Sequence, residues 1–364
     1  MNLLVNKKIN LIFPALSISR DIWPLVKEYS YHANPYKRFV QSLYVLLSIS
    51  KVFRNLFASQ FLSIQPCPES FANVCILPGN HSIRVINLDL NECLVLSKLG
   101  YRADKLANAV LLRTSFSELP GPKVIDWDLS DGWYTEERIF GLPLNKLSNK
   151  DVQAKAMDEV RLFLNKMYDD TSELLPASTW FEAKFTQLDM AIEMLPVCYS
   201  YSIKKKIIEL KSNLTSLAEN YTDPSLLLEN ANTHGDLQAA NLLAPSEHSE
   251  DNVYIIDWEY TGKRIRHYDA FVYNLDARFP HGLAQRINTL LNNETAMASV
   301  LAWCGTKADV EFDASLFVLT FIVDEFLFRL DDTTIPNLNE PSKGFLSFLD
   351  EAMYINIFSR NYGN

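Results

Sequence analysis

Thr233-His234-Gly235-Asp236-Leu237-Gln238-Ala239-Ala240-Asn241-Leu242 sets an acid and, five residues later, an amide in one loop that closes into a strand at Leu242-Leu243. A short way on, Val253-Tyr254-Ile255-Ile256 reads as a buried strand ending in Asp257-Trp258-Glu259. An ionised carboxylate at the end of such a strand is costly unless something charged sits against it. Two carboxylates and an amide oxygen on adjoining loops form a hard-oxygen set, the kind Mg²⁺ takes while holding a nucleotide's phosphates. Each acid also has an ordinary explanation, a turn cap at Asp236 and a cap after a core strand at Asp257. It is the two segments together, in this order and at this separation, that mark a site.

The remaining composition suits a packed protein. The chain has 364 residues, 48% hydrophobic, 21% charged and 12% aromatic, enough for two domains or one two-part unit and against disorder. Lys plus Arg number 34 against 44 Asp plus Glu, a formal net charge of −10, which disfavours nucleic-acid binding through broad basic coverage. Glycine is scarce at 11 residues, about 3% where ~7% is usual, so phosphates would have to be handled without a glycine-rich run. The five cysteines (Cys67, Cys75, Cys93, Cys198, Cys304) are far apart with no C-x-x-C pair, and are expected to be reduced buried thiols. Lys7 and Lys8 precede Ile9 to Leu16, but Asn10 and Pro14 interrupt that run and no small-residue cleavage site follows. No stretch reaches the ~18 apolar residues of a spanning helix. The expected location is cytoplasmic.

Three regions separate by pattern. Residues 1–70 are expected to be a helical extension, on the apolar spacing of Phe39, Leu43, Leu46, Leu47, Ile49, Phe53 and Phe57. That segment either docks on the rest of the protein or, through residues 37–61 with Lys37, Arg38, Lys51 and Arg54 toward headgroups, touches a membrane surface. Residues 71–140 read as strands at Val74 to Leu77, Ile83 to Ile86 and Cys93 to Leu96, a helix from Asp104 to Arg113, and strands at Lys123 to Trp127 and Trp133 to Phe140. This order predicts a small lobe on an antiparallel sheet. Residues 141–364 are mostly helical, with candidates over 152–167, 175–195, 203–220, 282–303, 310–331 and 344–359, interrupted by the loop and strand between Asn232 and Trp258.

The segment H-G-D-x-x-x-x-N followed by I-D-W-E resembles the aminoglycoside phosphotransferase and choline kinase group of the protein-kinase-like fold. Its spacing matches the kinase catalytic loop H-R-D-x-x-x-x-N, with Gly235 where protein kinases carry Arg. Ile256-Asp257-Trp258-Glu259-Tyr260 is similar to the I-D-F-E-Y of choline kinases. The resemblance spans about residues 72 to 335, specific in the two motifs and loose elsewhere. It implies a two-lobed α+β fold, a small antiparallel-sheet lobe over a large helical one, and a kinase using ATP and Mg²⁺.

The same resemblance assigns roles. Asp236 would accept or orient the proton of the attacking hydroxyl, while Asn241 and Asp257 would hold Mg²⁺ bridging the ATP phosphates. His234 would fix the loop, and Asp269 in Arg266-His267-Tyr268-Asp269 would brace it. Lys98 matches the third-strand lysine that reaches the α- and β-phosphates. Its usual helix-glutamate partner is missing, with Asn108 near the expected place and Glu118 the only glutamate nearby. Pro78-Gly79-Asn80-His81-Ser82 is the candidate phosphate-covering turn, through backbone N–H groups and Ser82. Glu137 and Ile139, before Phe140-Gly141, resemble the link between lobes whose backbone meets adenine.

The acceptor is the least transferable part. Family members phosphorylate hydroxyls of amino alcohols, aminoglycosides, sugars or amino acids. Asp324 and Glu325 interrupt the apolar run from Leu316 to Phe328, where ionised groups need a reason, and are candidates for pairing with a cationic acceptor. Glu259 is a further candidate, for the acceptor or the metal's water shell. The expected partners are a nucleotide and a small-molecule hydroxyl acceptor, with no nucleic acid. Two alternatives stand beside a small-molecule kinase: a kinase of a protein or polymer acceptor, and a nucleotide-binding pseudokinase with a regulatory role.

Overall fold

The computed structural model describes residues 2–6, 11–14, 35–50, 52–63, 74–79, 81–87, 89–98, 103–116, 118–197, 199–244, 253–305, 313–333 and 341–359. The chain divides into two compact units: residues 1–160 with 239–259, and residues 161–238 with 260–364. The boundary expected at 140/141 therefore lies further on, at 160/161, and the segment 239–259 returns to the first unit.

The first unit is built on one antiparallel sheet of eight described strands: β1 (Asn2–Asn6), β2 (Leu11–Pro14), β3 (Gln60–Ser63), β4 (Val74–Pro78), β5 (Ser82–Asn87), β6 (Glu92–Ser97), β7 (Val124–Asp128) and β8 (Trp133–Glu137), in the order β3-β1-β2-β4-β5-β6-β8-β7. The strands expected between 74 and 137 take their places here. Residues 1–70 depart from the helical extension expected of them. They hold a helix α1 (Pro35–Ile49) and a one-turn helix α2 (Arg54–Phe57), but also three strands of the sheet. Ser50 explains where α1 stops: its hydroxyl donates to the Leu47 carbonyl at 3.2 Å and accepts the Phe53 N–H at 3.2 Å, closing a turn in place of a further helical bond. Beyond that turn Gln60 to Ser63 pairs with β1, a contact between distant segments that local periodicity does not reveal.

Helix α3 (Ala103–Ser115) covers one face of this sheet. Leu106 and Val110 pack with Cys75, Ile86, Cys93, Val95 and Tyr134 into a single core. Burial pushes the Cys93 thiol up to about 12, as suits a thiol that serves as apolar filler. Cys75, Cys93 and Cys304 are buried thiols; Cys67 and Cys198 lie outside the described residues. The first unit also contains a small ladder of β9 (Leu142–Pro143), β12 (Leu242–Ala244) and β13 (Tyr254–Ile255).

Helix α4 (Lys150–Thr171) runs from the first unit into the second. The second unit is mostly helical around a three-stranded sheet of β10 (Glu173–Pro176), β11 (Leu227–Thr233) and β14 (Gly262–Ile265). Its helices are α5 (Ala177–Glu193), α6 (Tyr201–Ala218), α7 (Tyr268–Asn274), α8 (Leu283–Leu291), α9 (Glu294–Trp303), α10 (Ala314–Thr333), α11 (Lys343–Ala352) and α12 (Asn356–Ser359). The single helix expected over 282–303 is split because Asn293 caps α9, accepting the Ala296 N–H at 3.0 Å. Trp180, Tyr168, Phe271, Phe321 and Phe326 are among its largest fully buried side chains. Among the described residues no helix is long and apolar enough to cross a membrane.

His267, the residue before α7, is buried against Phe271 and Phe317, with Nε2 3.0 Å from the Phe317 carbonyl and 3.1 Å from Thr320 Oγ1. Burial lowers its pKa to about 3, against the weaker upward pull of the Phe317 carbonyl. A folded-state value below the unfolded one means that the unfolded chain binds the extra proton first. Stability contributed by the neutral ring is therefore whole above pH ~6.5 and is lost as pH falls toward 3, by up to ~1.4 kcal/mol per pH unit. Urea unfolding between pH 7 and 5 is expected to show this slope, and His267→Asn to reduce it by about one proton.

Candidate active site

The loop after β11 is built from its backbone outward. Asp269, fully buried on α7, accepts the N–H of His234 at 2.7 Å and of Gly235 at 2.9 Å, and the hydroxyl of Tyr168 at 2.9 Å. Burial, then the neighbouring Asp269 carboxylate, holds the Tyr168 pKa well above its ordinary value, so the phenol stays a donor. Thr261 Oγ1 donates to the Thr233 carbonyl at 2.8 Å, and Arg264 Nη1 donates to Thr233 Oγ1 at 3.0 Å and to the Tyr260 carbonyl at 2.9 Å. Gly235 takes φ +84°, and an added Cβ would overlap the Tyr260 carbonyl oxygen and come within 2.7 Å of Arg264 Nη1. Glycine is required here on two counts, conformation and space.

His234 is buried, and its Nδ1 accepts the Asp236 N–H at 3.3 Å. That lone pair is used in shaping the turn. Asp236 itself is held from both sides: Oδ1 pairs with Arg278 Nε at 2.6 Å, and Oδ2 accepts Gln238 Nε2 at 3.0 Å. Arg278 also donates to the Gly235 carbonyl at 2.7 Å and to both oxygens of Glu325 at 2.7 and 2.8 Å, its guanidinium lying 3.8 Å from the centre of the Phe328 ring. Arg278 lies 42 residues from Asp236 and carries no motif of its own, so the sequence alone does not single it out.

Asp324 and Glu325, expected to meet a cationic acceptor, are corrected by the same network. Asp324 pairs with Lys184 Nζ at 2.7 Å and accepts the Ile265 N–H at 2.9 Å. Glu325 is bound by Arg278, by Arg329 Nε at 2.7 Å and by the Tyr268 hydroxyl at 2.7 Å. Burial opposes the charge of Glu325, yet the two guanidiniums hold its pKa below the usual carboxylate value. Both carboxylates are neutralised from within the fold.

Asn241, Asp257 and Glu259 belong to the first unit, as does the turn before β5. The antiparallel register pairs Leu242 with Ile255 and Leu243 with Tyr254, so the residue entering β12 and those leaving β13 share one end of the ladder. There Ile256 N donates to the Asn241 carbonyl at 2.9 Å. Ile255 N is bound by the Pro120 carbonyl at 2.5 Å, and Trp258 is buried with its Nε1 donating to the Ile255 carbonyl at 2.8 Å. Gly121 leaves room for that indole: a Cβ there would come within 3.1 Å of Nε1. Asp257 has φ +70°, a left-handed conformation that Asp tolerates better than most residues. Its Oδ1 pairs with Arg84 Nη2 on β5 at 2.7 Å. Glu259 accepts from Ser82 Oγ at 3.2 Å. Burial, then the charge of Asp257, pushes the Glu259 carboxyl up to about 7.

Such a concentration of oxygen ligands and negative charge fits a hard divalent cation that takes few protein ligands and completes its shell with phosphate and water. Among the described residues no group of three or more His, Cys, Asp or Glu is placed to hold a metal ion, which leaves Asn241 and Asp257 as the candidate pair.

The other expected nucleotide contacts have partners within the sheet and its turns. Lys98 Nζ donates to the Gly79 carbonyl at 2.5 Å. Helix α3 contains no glutamate and instead turns basic groups inward: Lys105 is buried 3.4 Å from His81 Nε2, and Arg113 pairs with Glu136 at 2.6 Å. Glu137 donates its N–H to the Lys123 carbonyl at 2.9 Å within the sheet, so that donor is not open to adenine; Ile139 is half-buried just beyond. Asn80 lies outside the described residues.

No family model matches the sequence, and no curated protein matches it. Among solved structures the chain is similar to the choline kinase LicA of Streptococcus pneumoniae, at 11% identity and a TM-score of 0.49, over 82% of this chain and 94% of that one. It is similar in the same measure to a choline/ethanolamine kinase family protein of Mesorhizobium loti, at 15% identity, TM-score 0.49, over 82% and 94% of the two chains. An ethanolamine kinase of Plasmodium vivax matches at 14% identity, TM-score 0.47, over 95% and 98%.

Two outcomes follow from the loop geometry. Gly235→Ala forces a Cβ against the Tyr260 carbonyl in a left-handed backbone, and is expected to cost roughly 3 kcal/mol or more, read as a lowered urea midpoint. Glu325→Ala leaves Arg278 and Arg329 without their shared carboxylate and is expected to cost about 3–5 kcal/mol in the same measurement.

Proposed function

We propose that this chain is an ATP- and Mg²⁺-dependent phosphotransferase that moves the γ-phosphoryl group to a hydroxyl of a small molecule. The observation that carries the proposal is the shared end of the β12–β13 ladder, where Asn241 and the left-handed Asp257 stand together beside Glu259. Asn241 and Asp257 would hold Mg²⁺ through an amide oxygen and a carboxylate, and the ion would supply positive charge to the phosphates. Ser82 and the turn before β5 take the phosphates, and the segment beyond Glu137, at Ile139, meets the base.

Asp236 acts on the acceptor. It orients the attacking hydroxyl and takes its proton as the oxygen bonds to the γ-phosphorus and the ADP oxygen leaves. Arg278, paired with one oxygen of the carboxylate, fixes its direction. Such transfer needs positioning and charge neutralisation more than covalent help. The candidate acceptors are amino alcohols, aminoglycosides, sugars and cell-envelope precursors. Since Asp324 and Glu325 are already paired, a cationic acceptor is recognised by other carboxylates.

The test is an ATP-turnover screen with and without Mg²⁺ over choline, ethanolamine, aminoglycosides and simple sugars. Acceptor-dependent ADP release that requires Mg²⁺ is the expected result. Asp236→Asn, which keeps the shape of the side chain, is expected to lower that rate at least 10²-fold in a chain that still unfolds cooperatively, in line with loss of a general base. Full activity in this variant would sink the mechanism.

A further inference from the structure

We infer that Arg84, and not Lys98, is the cation of the sheet that binds the nucleotide's phosphates. This assignment rests on the phosphotransferase reading and specifies which side chain of the first unit carries it. Arg84 lies in the middle of β5, where the register pairs it with Leu77 on β4 and Val95 on β6. Val95 and Leu77 belong to the core that α3 covers, so alternation along the strand turns Arg84 to that same side. An arginine has no reason to be there as core filler, and it is not used as one. Its Nη2 reaches Asp257 Oδ1 at 2.7 Å, and its side chain keeps 23% of its surface exposed.

Three features make it the better phosphate ligand. First, it already lies one hydrogen bond from the carboxylate assigned to the metal, so an anion bridging metal and protein must pass within its reach. Second, the single ion pair leaves donors over: Nε is buried and has no hydrogen-bond partner. A guanidinium offers five N–H groups in a rigid fork matched to phosphate oxygens. Third, Lys98 is committed elsewhere, its ammonium held at 2.5 Å by the Gly79 carbonyl at the turn. Arg84 is oriented by Asp257.

The experiment is calorimetric titration of the full chain with Mg·ATP and, separately, with adenosine, which has no phosphate. Arg84→Ala is expected to weaken Mg·ATP at least tenfold and to leave adenosine within twofold of the parent chain. Lys98→Ala is expected to stay within threefold for both. If Arg84→Ala does not fold, Arg84→Gln retains a hydrogen-bond donor for Asp257 without the charge and is expected to show the same tenfold loss confined to Mg·ATP. Mg·ATP affinity unchanged or tighter in a folded Arg84 variant would overturn the assignment, as would the loss falling on Lys98→Ala. The two levels separate cleanly. A parent chain that binds Mg·ATP and transfers phosphate while Arg84 variants are unaffected refutes the Arg84 assignment alone; a parent chain that does not bind Mg·ATP refutes both.

Discussion

The Asp269 carboxylate is fully buried, and the geometry of the loop from Thr233 to Gln238 depends on it. A buried charge is tolerable only when donors replace the water it has lost, and Asp269 has three: two consecutive backbone N–H groups and the Tyr168 phenol. Those two N–H groups point at one carboxylate only because the chain reverses there. Gly235 supplies the left-handed residue that allows it. The reversal in turn sends Asp236 outward from the strand instead of back into the sheet. Removing the carboxylate would leave two buried donors unpaired, a loss felt first in the loop and then at Asp236.

Charge balance in the second unit follows from the same loop. Arg278 and Arg329 face Asp236 and Glu325, two cations for two anions, while Lys184 answers Asp324. The network is local to α10 and the segment after α7, and it is well satisfied: Arg278 alone makes bonds to Asp236, Glu325, the Gly235 carbonyl and Tyr268. A buried network of this kind contributes uniqueness of arrangement more than net stability, because desolvation consumes most of the attraction. Arg278 holds the carboxylate of Asp236 at one oxygen and Gln238 binds the other.

What the sequence made legible was what is local. The strands between Val74 and Glu137 and the helix that follows β6 are written in short apolar runs and turn residues, and the α+β class is evident from their order. The two motifs were legible because each packs its chemistry into a few residues. Partnership across long separations was not. Asp324 and Glu325 stood out as charges in an apolar helix, a true signal of burial, but the cations that satisfy them come from Lys184 and Arg278, and nothing at those positions announces it. The strands within residues 1–70 were hidden for the same reason: Asn2 to Asn6 and Gln60 to Ser63 become strands by pairing with each other across the 53 positions between them, not by pattern. Lys98 was chosen by its place at the end of the third strand of the lobe, and strand position does not tell where an ammonium is held.

The two left-handed residues differ in a way that bears on their chemistry. Gly235 follows β11 and Asp257 follows β13, each two residues beyond the strand's end. At position 235 the side chain must be absent, because the Tyr260 carbonyl occupies its place, and the functional group is carried by the next residue. At position 257 the strained residue carries the functional group itself. A non-glycine in this region costs on the order of 1–2 kcal/mol. Here the cost is offset by groups that fix the turn from both sides: the buried Trp258 bonded back to Ile255, and the Asn241 carbonyl bound by Ile256. Strain held in this way keeps the Asp257 carboxylate from relaxing toward the strand, where it would meet the apolar side of the ladder. The Arg84 guanidinium is then the natural counter-charge of an acid that the backbone has been made to expose.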